Sequence, residues 1–476
     1  MSTIFVGVGQ CGNQLSNKLL DYLTTNQTIQ TSYLFNHFDG KFHFVNLDSE
    51  PKVINNLSSD HKEHLRLENL INTKCGRGSN WASGYAGLRK DGELKIIEKT
   101  LEAIRRESER CDVLLNFNIM HSLSGGTGSG CGSRLIEQLR DNYGPKKYIF
   151  TQSVAPFRDG ELPLQHYNNL LCLSHLQEHA DCISLYQNDD IFNLIEKQAN
   201  EVSRSTPSST KSALLPFNNP KLNKKSASLE SSLPNSISIN DMNSYIVKCL
   251  LSSIYPVDSV SLKTQSFGLE LFEMQRFLCS NPNLKIIEVY NVNSSSSGLK
   301  STSLSDRSSN QLTKSNPLVK QLISVVPKYK RDTTQLYTSL NSLLIARGNQ
   351  DLNEYDNKMV VSQIWQDFDL IKKSLNPVEW NPFTIDLWSS KYAINEPEST
   401  TNTNNAAKTK TNSLTLAVNR NKCVDYLSDV LSISKKKFVA RAYLHWYEKF
   451  NVGDDHFEKA FENLGQIIDS YTQMTH

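Results

Sequence analysis

The sequence predicts an α/β protein built on a doubly wound parallel sheet. Three observations predict it. From Thr3 to Asp190, short apolar runs alternate with amphipathic segments of helical period. Two glycine-rich turns, at residues 7–12 and 122–130, each stand between such a run and such a segment. The run before the second turn, residues 113–120, is apolar enough to be a strand buried on both faces.

Residues 3–8 read as the first strand. They enter Gly7-Val8-Gly9-Gln10-Cys11-Gly12, the G-x-G-x-x-G spacing of dinucleotide-binding turns, and then a helix with Leu15, Leu19, Tyr22 and Leu23 on one face. A second strand, residues 42–47, ends in Asp48-Ser49-Glu50-Pro51. In an NAD fold an acid that binds ribose follows the glycines by roughly 20 residues. Here it lies further on, and that scheme leaves the richer loop at 125–130 without a role. One nucleotide held by two glycine loops fits better, with Asp48 and Glu50 beside a magnesium ion. The other reading of the two acids is a solvated strand end.

Residues 76–85 form another small-residue loop, either a third phosphate-side loop or a plain turn. A helix with Leu94, Ile97, Leu101 and Ile104 on one stripe follows. After strand 113–120, Ser122-Leu123-Ser124-Gly125-Gly126-Thr127-Gly128-Ser129-Gly130 leads into a helix, 133–143, with Leu135, Ile136, Leu139 and Tyr143 at helical spacing. A helix start leaves backbone N–H groups without partners and is the positive end of the dipole, so a glycine turn there cradles phosphate. No Gly-Lys-Ser/Thr follows, which excludes a Walker loop. A strand at 148–152, a polar connection at 153–163 and a helix at 164–179 come next. The helix turns Tyr167, Leu170, Leu171 and Leu176 inward, and a strand at 182–186 ends in Gln187-Asn188-Asp189-Asp190.

Residues 200–236 break the rhythm. They are rich in Ser, Asn, Pro and Lys and read as a disordered insertion; 293–316 and 398–412 are of the same kind. A helix at 241–254 aligns Met242, Ile246, Leu250 and Ile254. Near the C-terminus, 435–450 reads as a helix carrying Phe438, Ala442, Leu444, Trp446 and Tyr447. Asp454-Asp455 opens another with Phe457, Phe461, Leu464, Ile468 and Tyr471 on one stripe. The two are expected to form an antiparallel pair over the body.

The 476 residues suffice for two or three domains. A net charge of +2 argues against nucleic acid as main partner. The nine cysteines show no C-x-x-C pair and no Cys/His cluster, so they read as reduced thiols rather than disulfides or a zinc site. No apolar run reaches membrane-span length, and the N-terminus lacks the pattern of a signal peptide. A cytosolic protein is the expectation.

Gly9-Gln10-Cys11-Gly12-Asn13-Gln14 resembles the opening loop of tubulins. Residues 124–130 resemble their signature glycine loop, with Ser124 at its first glycine, and Arg441-Ala-Tyr-Leu-His-Trp-Tyr447 resembles their C-terminal helix. Residues 46–54, 78–81, 121–125 and 173–176 are most similar to the delta-tubulin family, with the epsilon family as nearest rival. Gln165-His-Tyr-Asn168 stands where α- and β-tubulins carry Glu-Pro-Tyr-Asn, and the acidic tail of those two is missing.

The resemblance implies a tubulin-like fold. Residues 1–240 would be a doubly wound parallel-sheet GTPase domain, 241–412 a core helix and α+β intermediate domain, and 413–476 a C-terminal strand and helical hairpin. It implies GTP or GDP and Mg2+ as cofactors. Gln10 and Cys11 would lie against the phosphates, and Gly125, Gly126, Thr127, Gly128, Ser129 and Gly130 would wrap them. Glu50, with Asp48, would lie near the metal. Ser79 replaces an asparagine near the γ-phosphate, Glu161 matches the ribose-side acid, and Gln165 lies close by. Asn188 and Asn243 would read guanine, whose edge offers amides both donors and acceptors. Ile239 falls where an aromatic ring stacks on the base in α- and β-tubulins.

Gly268-Leu-Glu-Leu-Phe-Glu273 resembles the α-tubulin loop that reaches the next subunit's nucleotide. Glu273 would be the catalytic acid acting on a neighbouring subunit, and Glu270 its companion. Other tubulins (alpha, beta, epsilon) in a microtubule or centriole assembly are the implied partners, with neither nucleic acid nor membrane. The cytoskeleton, at the centriole or basal body, is the implied location. A GTP-binding subunit supporting triplet microtubules and cilium assembly is one function class. An NAD-linked enzyme using the 7–12 turn is another, and a GTP-independent scaffold, suggested by Ser79 and Ile239, a third.

Overall fold

The computed structural model describes residues 2–26, 34–36, 38–87, 95–160, 162–205, 237–255, 257–259, 271–293, 316–331, 333–348, 362, 364–390, 392–397 and 412–474. Leu94, Glu161, Glu270 and most of the three low-complexity stretches lie outside the described residues.

β1 (Ser2–Val8) is buried along its whole length. Successive strand side chains point to opposite faces, so Phe5 enters one core while Ile4, Val6 and Val8 enter another. The chain continues through α1 (Gly9–Thr25), β2 (Phe44–Asp48), α2 (Pro51–Asp60), β3 (Leu70–Asn72), α3 (Trp81–Ala86), α4 (Lys95–Glu109) and β4 (Leu114–Ser122). It goes on through α5 (Gly132–Tyr143), β5 (Tyr148–Ala155), α6 (Gln165–His179), β6 (Cys182–Gln187) and α7 (Asn188–Ser205). Strands β3-β2-β1-β4-β5-β6 lie side by side, all parallel. Chain order reverses between β1 and β4, and a crevice opens at such a switch point, off the strand C-termini.

The second half extends the same sheet. α8 (Ile239–Ile254) packs beside α1, its start fixed by a capping box between Ser238 and Asp241. After β7 (Asp258–Ser259) and α9 (Leu271–Leu278), β8 (Ile286–Asn293) pairs parallel to β6 through Ile183–Ile286 and Ser184–Ile287. Then come α10 (Pro317–Val325), β9 (Ser339–Arg347), α11 (Phe368–Leu375), β10 (Ile385–Ser390) and β11 (Ser413–Arg420). β11 runs antiparallel between β8 and β9, β10 lies parallel to β9, and β7 pairs antiparallel with β10, completing an eleven-stranded sheet among the described residues. Pairing is therefore continuous past residue 240. Among the described strands, antiparallel pairing occurs in the second half, with β11 of the C-terminal segment as its centre.

Three stretches differ from the sequence reading. The helix expected over 435–450 instead runs from Cys423 to Val439 as α12. Arg441 and Tyr443 then adopt left-handed φ of 54° and 62°, which breaks it before the short α13 (His445–Glu448). Residues 200–205, read as the start of an insertion, are the last turns of α7, which runs to Ser205. β5 also continues to Ala155, taking in residues read as polar connection.

α12 and α14 (Asp454–Gln473) are antiparallel. Phe438, at the end of α12, meets Phe457 and Phe461 at the start of α14, at 5.6 and 5.3 Å. Both helices join the core that holds α4, α5 and α6, while α1 and α8 cover the opposite face.

Candidate functional site

Several loops and four helices meet at the switch point. They enclose a cleft of about 1250 Å³. Its walls include Gln10 and Cys11 from α1; Asp48, Ser49 and Glu50 after β2; Gly78 and Ser79; Ser124 to Gly128 after β4; Gln165 of α6; Asn188 of α7; and Ile239, Met242 and Asn243 of α8.

Side-chain hydrogen bonds lock the loops together. Asn13 Nδ2 donates to the carbonyls of Gly9 and Leu47, both at 2.9 Å, and Asn13 Oδ1 accepts from Asn46 Nδ2 at 2.8 Å. This ties the first glycine turn to the end of β2. The hydroxyls of Ser49 and Thr127 lie 2.6 Å apart, tying the β2 loop to the central glycine loop. Gly9 has a φ of +69°, and a Cβ there would come within 2.8 Å of the Gly128 nitrogen, so the two glycine turns touch backbone to backbone.

Asn168 of α6 is the hub. Its amide nitrogen donates to the carbonyls of Ser79 and Ser124, both at 2.7 Å. Its oxygen accepts from the Trp81 N–H at 2.9 Å and the Tyr447 hydroxyl at 2.7 Å. Every hydrogen-bonding position of this fully buried amide is thereby used. Asn80 caps α3 by accepting from the Ala82 N–H, and its amide donates to the Trp446 carbonyl at 3.0 Å. The α13 turn is therefore bonded to the same loops that line the cleft.

The glycine loop enters α5 through a π-helical turn, Gly126–Cys131. The backbone of Gly125 to Gly128 lines the cleft at that helix start. Ser129 and Gly130 do not line it. The Ser129 hydroxyl donates to the Gly125 carbonyl, and Gly130 packs against α3, where a Cβ would lie 2.2 Å from the Trp81 carbonyl.

Burial sets the protonation of several groups here. It pushes the Cys11 thiol up to about 12, so Cys11 is a neutral wall. Asp48 is 4% exposed and is pushed up to about 6 by burial, although its Oδ1 accepts the Glu50 N–H at 3.3 Å. Glu50 stands at the mouth, its Oε1 close to Gly76. Two hard carboxylate donors beside a phosphate-sized cradle fit a magnesium ion, which would also favour the ionised form of Asp48. Lys52 and Arg77 add positive charge to the same walls. Gln165 Nε2 donates to the Phe157 and Arg158 carbonyls and so holds the loop that carries Asp159 and Gly160. Asn243 is nearly buried, and Ile239 is 64% exposed at the rim.

Glu273 lies elsewhere. It sits in the first turn of α9. The neighbouring Phe272 stacks on Tyr148, the first residue of β5, at 5.7 Å, and Gln275 Nε2 donates to the Asp181 carbonyl just before β6. These are strand N-termini, so Glu273 occupies the end of the sheet opposite the cleft.

Sequence reasoning gave Ser49, Asn168, Lys52 and Arg77 no role, although they stand within stretches it singled out. Asn13 was quoted in a motif without a role, although its position four residues after Gly9 on a helix start carried a signal.

Residues 2–196 match the Tubulin/FtsZ family, GTPase domain. Over its full length the chain is 26% identical to the tubulin delta chain of Homo sapiens, all of which is covered. It is 25% identical to the tubulin delta chain of Mus musculus, with 99% of each chain covered. It is 24% identical to the tubulin beta-1 chain of Chondrus crispus, across 99% of this chain and 93% of that one.

Proposed function

Residues 2–196 form a GTPase domain of the Tubulin/FtsZ family, and from that premise we propose that this chain is a guanine-nucleotide-binding tubulin of centrioles or basal bodies, supporting triplet microtubules and cilium assembly. One observation carries the nucleotide reading: the turns at 9–14, 48–50, 78–79 and 124–128 converge with Asn188 and Asn243 on one cleft. The similarity to tubulin delta chains along the whole length supports the finer placement.

In this reading the N–H groups of Gly125 to Gly128 hold the phosphates, with the Thr127 hydroxyl fixed beside them by Ser49. Asn188 and Asn243 select guanine, and Ile239 covers the base with an aliphatic contact. Asp48 and Glu50 hold magnesium, which supplies charge neutralisation at the phosphates. Glu273, at the far end of the sheet, orients the attacking water on a neighbouring subunit's nucleotide. The isolated chain is then nearly inert as a GTPase.

Chromatography of the nucleotide released from purified protein is the test. A guanine nucleotide is expected; a nicotinamide dinucleotide would establish the NAD-linked class instead. Asn243→Ala should weaken guanine-nucleotide binding by about tenfold, the loss of one or two base-edge hydrogen bonds. Affinity capture of the full chain from a centriole-bearing cell should recover other tubulins.

A further inference from the structure

α6 ends in His175-Leu176-Gln177-Glu178-His179. Helical geometry puts positions i, i+3 and i+4 on one face. One ligand atom from each of His175, Glu178 and His179 lies within 4.8 Å of the other two. The group stands at the opposite end of α6 from Gln165, so it is separate from the cleft. We propose that His175, Glu178 and His179 bind a zinc ion on the flank of the protein, between α6 and α14.

The setting of Glu178 favours this. Its Oε1 accepts from Lys459 at 2.7 Å and from Asn463 Nδ2 at 3.4 Å, both on α14. Its Oε2 faces His179 Nε2 at 3.6 Å. A carboxylate pinned through one oxygen by outer donors presents the other to a metal.

His175 favours it too. Its ring is wedged against Trp81 and Tyr85, with centroids 5.2 and 4.9 Å away, and its Nδ1 is buried without a hydrogen-bond partner. Two imidazoles and a carboxylate form a zinc donor set. The Lys459 ammonium opposes binding, but its side chain is 63% exposed and free to swing outward. With zinc bound, Glu178 would join the metal to Lys459 and Asn463 and fasten α14 to α6.

The test compares full-length wild type with Cys75→Ser, Glu178→Gln and the double variant His175→Gln/His179→Gln. Each is stripped with chelator and dialysed against ZnCl2, and the bound zinc is counted. The double variant should hold one zinc fewer than wild type, and Cys75→Ser, which removes the exposed thiol, should match wild type. Glu178→Gln should weaken the site by at least about tenfold. Cobalt in place of zinc should give a visible absorption band that the double variant lacks. Equal zinc count and affinity in wild type and double variant overturn the proposal, as does a wild type that takes up no zinc. Should the double variant fail to fold, His179→Gln alone decides: a tenfold loss supports the site, and unchanged affinity overturns it.

Discussion

The hydroxyls of Ser49 and Thr127 meet at 2.6 Å, although 78 positions separate them. The contact joins the loop bearing the paired carboxylates to the loop bearing the phosphate cradle. It fixes the distance between the proposed magnesium and phosphate positions. Thr127→Val keeps the shape and removes the bond. It should lower affinity for a fluorescent GTP analogue by about five- to tenfold, since a buried neutral hydrogen bond contributes about 1 kcal/mol. Unchanged binding would mean the latch has no part in holding nucleotide.

Asn168 makes four hydrogen bonds to three separate parts of the chain. Asn168→Leu strands two carbonyls, one N–H and the Tyr447 hydroxyl in the interior. A loss of about 3–5 kcal/mol is expected in urea unfolding. Tyr447→Phe removes only one of these bonds and should cost about 1 kcal/mol. Equal losses for both variants would refute the hub.

His121 lies under the glycine loop, fully buried, with Nε2 2.9 Å from the Ser153 hydroxyl. Burial lowers its pKa to about 4. As pH falls through about 6.5 the unfolded chain takes up a proton that the folded chain refuses. This contribution to stability is thus fully present above about pH 6.5 and is lost as pH falls towards 4, by roughly 3 kcal/mol. Urea midpoints at pH 7 and pH 5 should differ less in His121→Gln than in wild type. An identical difference would place that proton uptake on other groups.

Glu273 belongs to the end of the sheet opposite the cleft. Glu273→Gln should leave the nucleotide affinity of the isolated chain unchanged. In mixed assemblies with other tubulins it should slow GTP turnover by about 10²-fold or more, the usual effect of removing a group that positions the attacking water. Turnover equal to wild type would remove the trans-acting acid from the account.

Much of the site was legible in the sequence, because its parts are local. A glycine turn between a strand and a helix creates a phosphate cradle from backbone alone, and residues 9–12 and 125–128 declare that by composition. Ser129 and Gly130 share the composition but face inward. The π-helical turn rotates them towards Gly125 and α3, which no count of glycines reveals. The 435–450 stretch shows the converse. Its apolar residues keep a helical spacing, yet the backbone turns left-handed at Arg441 and Tyr443 and carries Trp446 and Tyr447 to Asn80 and Asn168.

By itself the sequence determined the alternation of strands and helices, the burial of both sheet faces and the chemistry of the turns. Each of these follows from the preferences of residues a few positions apart. Only the tertiary structure decided that Asn168 joins three segments, that β8 carries the parallel sheet on into antiparallel strands, and that α14 pins one oxygen of Glu178. Such contacts join positions from dozens to hundreds of residues apart. Their partners are chosen by shape and by the need to satisfy every buried donor and acceptor, which no local periodicity records.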